Sequence, residues 1–258
     1  MPESDLQLLI DAAKASGDIA RKFFKASPEV WNKDDNAGPV TEADLAIDKM
    51  LKAELLRSRP TYGWLSEETE DTAERLNHKR VFIIDPIDGT RAFIAGEKTF
   101  SHSLAISENG VVVAAAVYVP MMDLMFAASA TKASTVNGDA ISVTSKPQLT
   151  GATVLGTKPN FDDKHWIGGL PPVTRKFRPS LAYRLCLVAQ GRYDAMITLR
   201  DCWEWDIAAG DLIVRKAGGF ATERTAGPLK YNRPHPKTKG CLAAGPELHS
   251  LLHERLKQ

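Results

Sequence analysis

The chain opens with apolar residues at helical spacing. Leu6, Leu9, Ile10, Ala13 and Ala20 fall on one side of a predicted helix, while Asp11, Lys14 and Asp18 break any continuous apolar run. Ser4 followed by Gln7 matches a capping box. Acids near the start (Glu3, Asp5) and bases near the end (Arg21, Lys22, Lys25) suit the helix dipole. The segment therefore reads as a helix and not as a secretory leader. After a polar stretch from Asn32 to Pro39, a second helix is expected from Thr41 to Arg57. Its apolar positions are Leu45, Ile47, Met50, Leu51, Leu55 and Leu56, and Thr41 with Asp44 gives another capping box.

Extended patterns follow. Trp64-Leu65 and Val81–Ile84 read as short buried strands. Between Phe100 and Val143, the runs Ser103–Ser107, Val111–Val119, Leu124–Ala128 and Ile141–Val143 alternate with Asn109-Gly110, Pro120–Asp123 and Asn137-Gly138, which predicts a largely antiparallel sheet. Beyond residue 150, strands are expected at Ala152–Gly156, Ala195–Leu199, Phe220–Thr222 and Cys241–Ala244, and helices at Leu181–Gln190, Trp205–Lys216 and Pro246–Leu256. The organisation expected is an α+β lobe over residues 1–150 and an α/β lobe over residues 151–258. Arg224 to Lys239, rich in Gly, Pro, Lys and Arg, reads as a surface loop.

Composition narrows the class. With 258 residues, 43% hydrophobic and 25% charged, the chain suits a globular protein with a sizeable core. A net charge of +1 gives no global pull toward nucleic acid or an anionic membrane, and no apolar run is long enough to span a bilayer. Cys186, Cys202 and Cys241 are odd in number and far apart. Buried thiols in a cytoplasmic protein fit better than a disulfide or a zinc set.

The candidate chemistry is acidic. In VFIIDPIDGTR (Val81–Arg91), Asp85 ends an apolar strand and Asp88-Gly89-Thr90 resembles a turn leading into a short helix, whose amides could hold a phosphate. YGWLSEETED carries Glu67 and Glu68 after another short apolar segment, a pattern that also fits a solvated loop. In CWEWDIAAGDLIV, Asp206 lies near a helix start, and Ala208, Ala209 and Gly210 leave room for a close neighbour. Asp44 shares the stripe of Ile47 and Leu51, so it should face inward and need a partner, with Lys33 one candidate. Converging carboxylates would repel by about 4 kcal/mol per pair at 4 Å and an effective dielectric near 20, and would be tolerable only with protons or cations. All-oxygen donors without His or Cys favour a hard ion, Mg²⁺ before Zn²⁺. Spacing alone does not show that the segments meet.

DPIDGT (Asp85–Thr90) and WDIAAG (Trp205–Gly210) resemble the two signature motifs of the inositol monophosphatase family, Mg²⁺-dependent, lithium-sensitive phosphatases. SEE at Ser66–Glu68 (the family usually has Gly first), VTEAD at Val40–Asp44, VNG at Val136–Gly138 and LCLVAQGRYDA at Leu185–Ala195 also fit, in order, from residue 5 to residue 250. The resemblance implies a layered αβαβα sandwich of the inositol monophosphatase and sugar phosphatase type, mixing α+β and α/β character. It implies two or three Mg²⁺ ions held by Glu67, Asp85, the Ile87 carbonyl, Asp88 and Asp206, with Glu68 near a weaker third site. Glu67, Thr90 and Asp44 would then serve the attack of a metal-activated water on phosphorus. Gly89 and Thr90 amides would bind phosphate oxygens, and Asp88 and Asp206 would stand beside the substrate.

Substrate choice falls to the region before the second motif. Inositol phosphatases carry a glutamate there, where this chain reads Thr198-Leu199-Arg200 with no acid until Asp201, and Pro179-Ser180-Leu181 replaces a Gly-Ser/Thr-Ala segment. EWDIAAG and Arg200 are closer to the branch that removes the 3′-phosphate of adenosine 3′,5′-bisphosphate, with Arg200 either meeting the second phosphate or simply exposed. Ser180 is a further candidate contact. The expectation is a small phosphorylated metabolite, ranked as bisphosphate nucleotide, then inositol 1-phosphate, then histidinol phosphate. No membrane or nucleic-acid partner is expected, and the resemblance suggests a homodimer. A regulatory member of the fold that binds RNA or protein is the competing class, which the intact acids oppose.

Overall fold

Why the acids meet follows from how two sheets interleave with three helical layers. The computed structural model describes residues 4–26, 28–32 and 38–257. Helix α1 (Asp5–Phe23) is N-capped by Ser4, whose hydroxyl accepts from the Gln7 amide; the Gln7 side chain turns instead to Asp11. Its buried face is Leu8, Leu9, Ala12, Ala13, Ser16, Gly17 and Ala20, rotated from the predicted one, and Leu6 and Ile10 are only half-buried. Small residues decide this. A Cβ on Gly17 would come within 2.6 Å of the Tyr118 ring, so the Ala/Ser/Gly stripe is what lies closest to the sheet.

Strands β1 (Val30–Asn32) and β2 (Pro39–Thr41) pair antiparallel ahead of α2 (Glu42–Ser58). The predicted capping box of Thr41 and Asp44 starts α2, which buries Ile47, Leu51 and Leu55 and leaves Leu45 exposed. Helices α1 and α2 cover one face of a seven-stranded sheet in sequence order: β3 (Gly63–Ser66), β4 (Arg80–Asp88), β5 (Ser101–Glu108), β6 (Val111–Val119), β7 (Leu124–Ser129), β8 (Lys132–Val136) and β9 (Asp139–Ala140). Only β3–β4 is parallel. The Asn109-Gly110 and Asn137-Gly138 turns form with both residues at positive φ, as such hairpins require. The expected strand Ile141–Val143 does not form. The chain after β9 leaves the sheet, and the Val143 amide bonds the Ala217 carbonyl instead.

A second sheet follows the order β11-β10-β12-β16-β14, from β10 (Thr153–Leu155), β11 (Thr174–Lys176), β12 (Ala195–Thr198), β14 (Phe220–Thr222) and β16 (Cys241–Ala244). A small antiparallel pair, β13 (Cys202–Trp203) with β15 (Lys237–Thr238), stands beside it. Helices α4 (Leu181–Ala189) and α5 (Glu204–Lys216) lie between the sheets, and α6 (Pro246–Arg255) covers the outer face, giving the αβαβα order. The short α3 (Thr90–Ile94) follows β4. The segment read as a surface loop, Arg224 to Lys239, is anchored: Tyr231 is buried, and Glu204 accepts the Asn232 and Arg233 amides. All three cysteines are buried free thiols. No described helix is long and apolar enough to cross a membrane.

Candidate active site

Side chains alternate along β4. Phe82 and Ile84 join the core under α1 and α2, and Val81 and Ile83 join the core around α4 and α5. On a regular strand, Asp85 and Asp88, three apart, would point to opposite faces. They do not, because β4 carries one extra residue: Asp85 pairs with Ser103 and Asp88 with Ser101. Ile87 therefore turns to the α1/α2 core, and Asp88 reaches α4, where its Oδ2 accepts from the Ser180 hydroxyl and the Ala182 amide, each at 2.6 Å. The turn expected at Asp88 begins one residue later. Asp88 is still in the strand, and Gly89, at φ 99°, is the left-handed residue from which α3 starts.

Asp206 sits in the first turn of α5, its Oδ2 accepting the Trp203 amide at 3.0 Å. Carboxylate oxygens of Asp85, Asp88 and Asp206 all lie within 4.8 Å of one another. The slim Ala208–Gly210 turn serves α4 and not a ligand: a Cβ on Gly210 would meet Leu185 at 2.4 Å. Glu67 leaves β3 with its amide bonded to the Ile84 carbonyl at 3.2 Å, next to Asp85. That loop is held by Asp48 of α2, a buried acid that the sequence reading passed over. It accepts the Ser66 and Thr69 hydroxyls at 2.5 and 2.6 Å, which gives the serine at the start of Ser66-Glu67-Glu68 a purpose.

Burial raises the Asp85 carboxyl well above the ordinary range, and Glu67, Asp88, Asp206 and Glu68 raise it further. Asp206 is raised by burial, Asp88 and Glu67, and Asp88 by burial against the opposing Ser180 and Ala182 hydrogen bonds. Asp85 Oδ1 is buried with no hydrogen-bond partner among the described residues. A cluster of carboxylates that raise one another, with an unpartnered buried oxygen, fits a hard divalent cation.

Asp44 is fully buried, as expected from its stripe. Its Oδ2 takes the Thr41 amide and hydroxyl, and its Oδ1 lies 3.3 Å from the Thr90 hydroxyl, which is also 3.0 Å from the Ile87 carbonyl. Lys33, considered as its partner, lies outside the described residues. Ser180 departs from its expected role as a substrate contact. Its side chain is fully buried, donates to Asp88, accepts the Tyr183 amide as the cap of α4 and touches the Ser101 hydroxyl at 2.9 Å, so it stands behind Asp88.

Arg200 is exposed and makes no hydrogen bond or ion pair among the described residues. Near it lies a cation that the sequence reading missed. Arg184, 6% exposed, donates Nε to the Arg178 carbonyl and Nη2 to the Pro179 carbonyl and rests 4.7 Å over the Phe177 ring, with no carboxylate partner among the described residues. Burial pushes its guanidinium down to about 10, Asp88 and Asp206 oppose this, and Arg200 adds to it. The signal was an arginine inside the otherwise apolar LAYRLCLVA, read only as helix.

Comparison with known proteins places these features in context. The family model described as the inositol monophosphatase family matches residues 1–258. The inositol-1-monophosphatase of Rhizobium meliloti (strain 1021) is 30% identical over 233 residues, covering 86% of each chain. The Nus factor SuhB of Pseudomonas aeruginosa is 32% identical over 236 residues, covering 85% of each. The solved structure of a Thermotoga maritima IMPase superposes with a TM-score of 0.83 at 26% identity, covering 96% of this chain and 95% of that one.

Proposed function

Because the chain belongs to the inositol monophosphatase family and is therefore a phosphatase, we propose that it hydrolyses a small phosphate monoester with Mg²⁺ and that its substrate bears a second anionic group, adenosine 3′,5′-bisphosphate above all. The observation that carries this is Arg184, a nearly buried guanidinium within electrostatic reach of Asp88, Asp206 and Arg200 and lacking a carboxylate partner among the described residues. A buried cation of this kind suits a substrate phosphate as counter-ion.

Glu67, Asp85, the Ile87 carbonyl, Asp88 and Asp206 would hold two or three Mg²⁺ ions. When bound, these ions supply neutralising charge at the phosphate, a lowered pKa for water and stabilisation of the leaving oxygen. The chain's own contribution is orientation. Thr90, with its proton shared between Asp44 and the Ile87 carbonyl, can present a hydroxyl oxygen that accepts a hydrogen bond from the attacking water. Glu67 offers a second acceptor for that water. The Gly89 and Thr90 amides at the start of α3 would bind phosphate oxygens, and Ser180 and Ala182 occupy one Asp88 oxygen, leaving the other for the site.

Inositol 1-phosphate is the second reading, favoured by relatives bearing that name and opposed by the missing glutamate before the second motif. Histidinol phosphate ranks third. The test is phosphate release from adenosine 3′,5′-bisphosphate, inositol 1-phosphate, histidinol phosphate and fructose 1,6-bisphosphate, with and without Mg²⁺ and Li⁺. The highest kcat/KM is expected on adenosine 3′,5′-bisphosphate, dependent on Mg²⁺ and inhibited by Li⁺. Preference for inositol 1-phosphate would overturn the substrate. No Mg²⁺-dependent turnover of any of them would favour the class of RNA- or protein-binding members.

A further inference from the structure

The bulge in β4 leaves the Pro86 carbonyl without a place in the β4–β5 ladder, since the pairing jumps from Asp85–Ser103 to Asp88–Ser101. Pro86 has no amide of its own to pair. Opposite the gap stands His102 of β5. On β5, Leu104 and Ile106 face the α1/α2 core, whereas Ser101 and Ser103 face the acids, through bonds to Ser180 and to the Trp205 carbonyl. His102 therefore lies on the α1/α2 side, away from substrate, fully buried between Phe100 and Tyr118. Its Nδ1 is 2.5 Å from the Pro86 carbonyl oxygen, and its Nε2 is buried without a hydrogen-bond partner among the described residues.

A carbonyl can only accept, so this contact requires Nδ1–H, and in a neutral ring Nε2 is then a bare lone pair. Keeping an orphan acceptor at the centre of an apolar layer is unfavourable. The side chain is retained there for what its other nitrogen does. We infer that His102 is a positioning residue: its Nδ1–H fixes the Pro86 carbonyl, locks the one-residue bulge in β4, and so keeps Asp85 and Asp88 on the same face of the sheet. Without that bond the competing register is the regular strand, in which Asp88 would point into the α1/α2 core and the acids would separate. Burying that carboxylate away from Ser180 and Ala182 is costly enough that the fold keeps the bulge on average, but with the acids less closely held. His102 touches no substrate and acts through Pro86.

The inference rests on Asp85 and Asp88 being metal ligands, as proposed above, and the test separates the two. Mn²⁺ binding is measured calorimetrically on the whole chain, without substrate, for wild type, His102→Phe and His102→Asn. Asn places an amide N–H near the Nδ1 position; Phe fills the volume with no donor. The expected result is Mn²⁺ affinity reduced about tenfold or more in His102→Phe, the loss of one hydrogen bond that positions the ligands, and restored to within about threefold of wild type in His102→Asn. Turnover of His102→Phe should recover as Mg²⁺ is raised, with KM for the phosphate ester unchanged. Wild-type affinity in a folded His102→Phe, or a His102→Asn as weak as His102→Phe, overturns the role of His102 alone. A wild type that binds no Mn²⁺ overturns the ligand assignment beneath it. A measurement on the wild type does not depend on the variants folding: long-range ¹⁵N–¹H spectra should show the Nδ1–H tautomer at His102, and the Nε2–H tautomer would overturn the inference.

Discussion

Replacing Asp85 by Asn removes one negative charge from the buried cluster while preserving its shape. At 4.8 Å and an effective dielectric near 20, one carboxylate pair repels by about 3.5 kcal/mol. Asp85 faces both Asp88 and Asp206, so a fully ionised cluster would be relieved of at least about 7 kcal/mol. The metal-free protein escapes most of that repulsion by taking up protons, as the raised Asp85, Asp88 and Asp206 carboxyls indicate. Asp85 makes no hydrogen bond among the described residues that the substitution would break. A gain of about 1–3 kcal/mol is therefore expected for Asp85→Asn in EDTA near neutral pH, a fraction of the fully ionised repulsion because protons already relieve the rest. With Mg²⁺ the order should invert. Wild type gains about 2.7 kcal/mol at a hundredfold excess over its dissociation constant, and Asp85→Asn gains little and turns over no substrate. The sign with pH follows. These carboxyls have folded pKa values above the unfolded one, so the folded state holds more protons. The contribution of these carboxyls to metal-free stability is then full below about 4 and lost as pH rises toward the raised values, a trend that saturating Mg²⁺ abolishes. Urea unfolding followed by circular dichroism, in EDTA and in Mg²⁺, reads all of this. An Asp85→Asn variant less stable than wild type in EDTA, or gaining as much from Mg²⁺, would refute the reasoning.

Arg184→Leu keeps the packing on Phe177 and removes the charge. KM for adenosine 3′,5′-bisphosphate should rise tenfold or more, the loss of one charge-assisted hydrogen bond, with turnover of a simple phosphate monoester changed less than threefold; equal losses on both would remove the second-anion role. Gly210→Ala drives a Cβ to 2.4 Å from Leu185 and should destabilise by about 1–3 kcal/mol, and an unshifted urea midpoint would contradict the close α4–α5 contact. His249 is pushed down to about 4 by burial and, secondarily, by His253, and its Nε2 lies 2.9 Å from the Thr222 hydroxyl. The unfolded chain takes up this proton below about 6.5 and the folded one does not, so stability should fall by about 1–2 kcal/mol between pH 6.5 and 4. His249→Gln should flatten that part of the curve. Parallel curves for wild type and variant would sink the assignment.

The elements that periodicity could identify are those whose burial is local. The Thr41–Asp44 cap, the Asn-Gly hairpins and the helices after residue 180 are written in neighbouring residues, and they form as expected. What the pattern missed depends on partners far along the chain. The buried face of α1 is chosen by Tyr118, and Ser180 is withdrawn from substrate by Asp88, 92 residues earlier. Arg184 went unremarked inside an apolar helix because its partners, two backbone carbonyls and the Phe177 ring, lie in the loop before the helix and follow no periodic pattern. Asp88 looked like a turn residue because Asp-Gly usually is one, and only pairing with Ser101 reveals the strand continuing through it. The meeting of the acids came from family resemblance, since no spacing rule encodes a bulge.

The way the acids are held argues for what they hold. Asp85, Asp88 and Asp206 make no ion pair among the described residues, although arginines are near. Their supports are neutral and one-sided: Ser180 and Ala182 on one oxygen of Asp88, the Trp203 amide on one oxygen of Asp206, and nothing on Asp85 Oδ1. A lysine or arginine in these places would stabilise the metal-free fold and compete with a cation for the same lone pairs. Neutral donors fix direction without satisfying charge. Arg184 is the exception that fits. Its guanidinium is anchored on backbone carbonyls and Phe177, within electrostatic reach of Asp88 and Asp206 yet paired to none of the three acids among the described residues. Held this way, the acids are not neutralised by the protein's own cations and stay raised above the ordinary carboxylate range, the arrangement expected of a cation site.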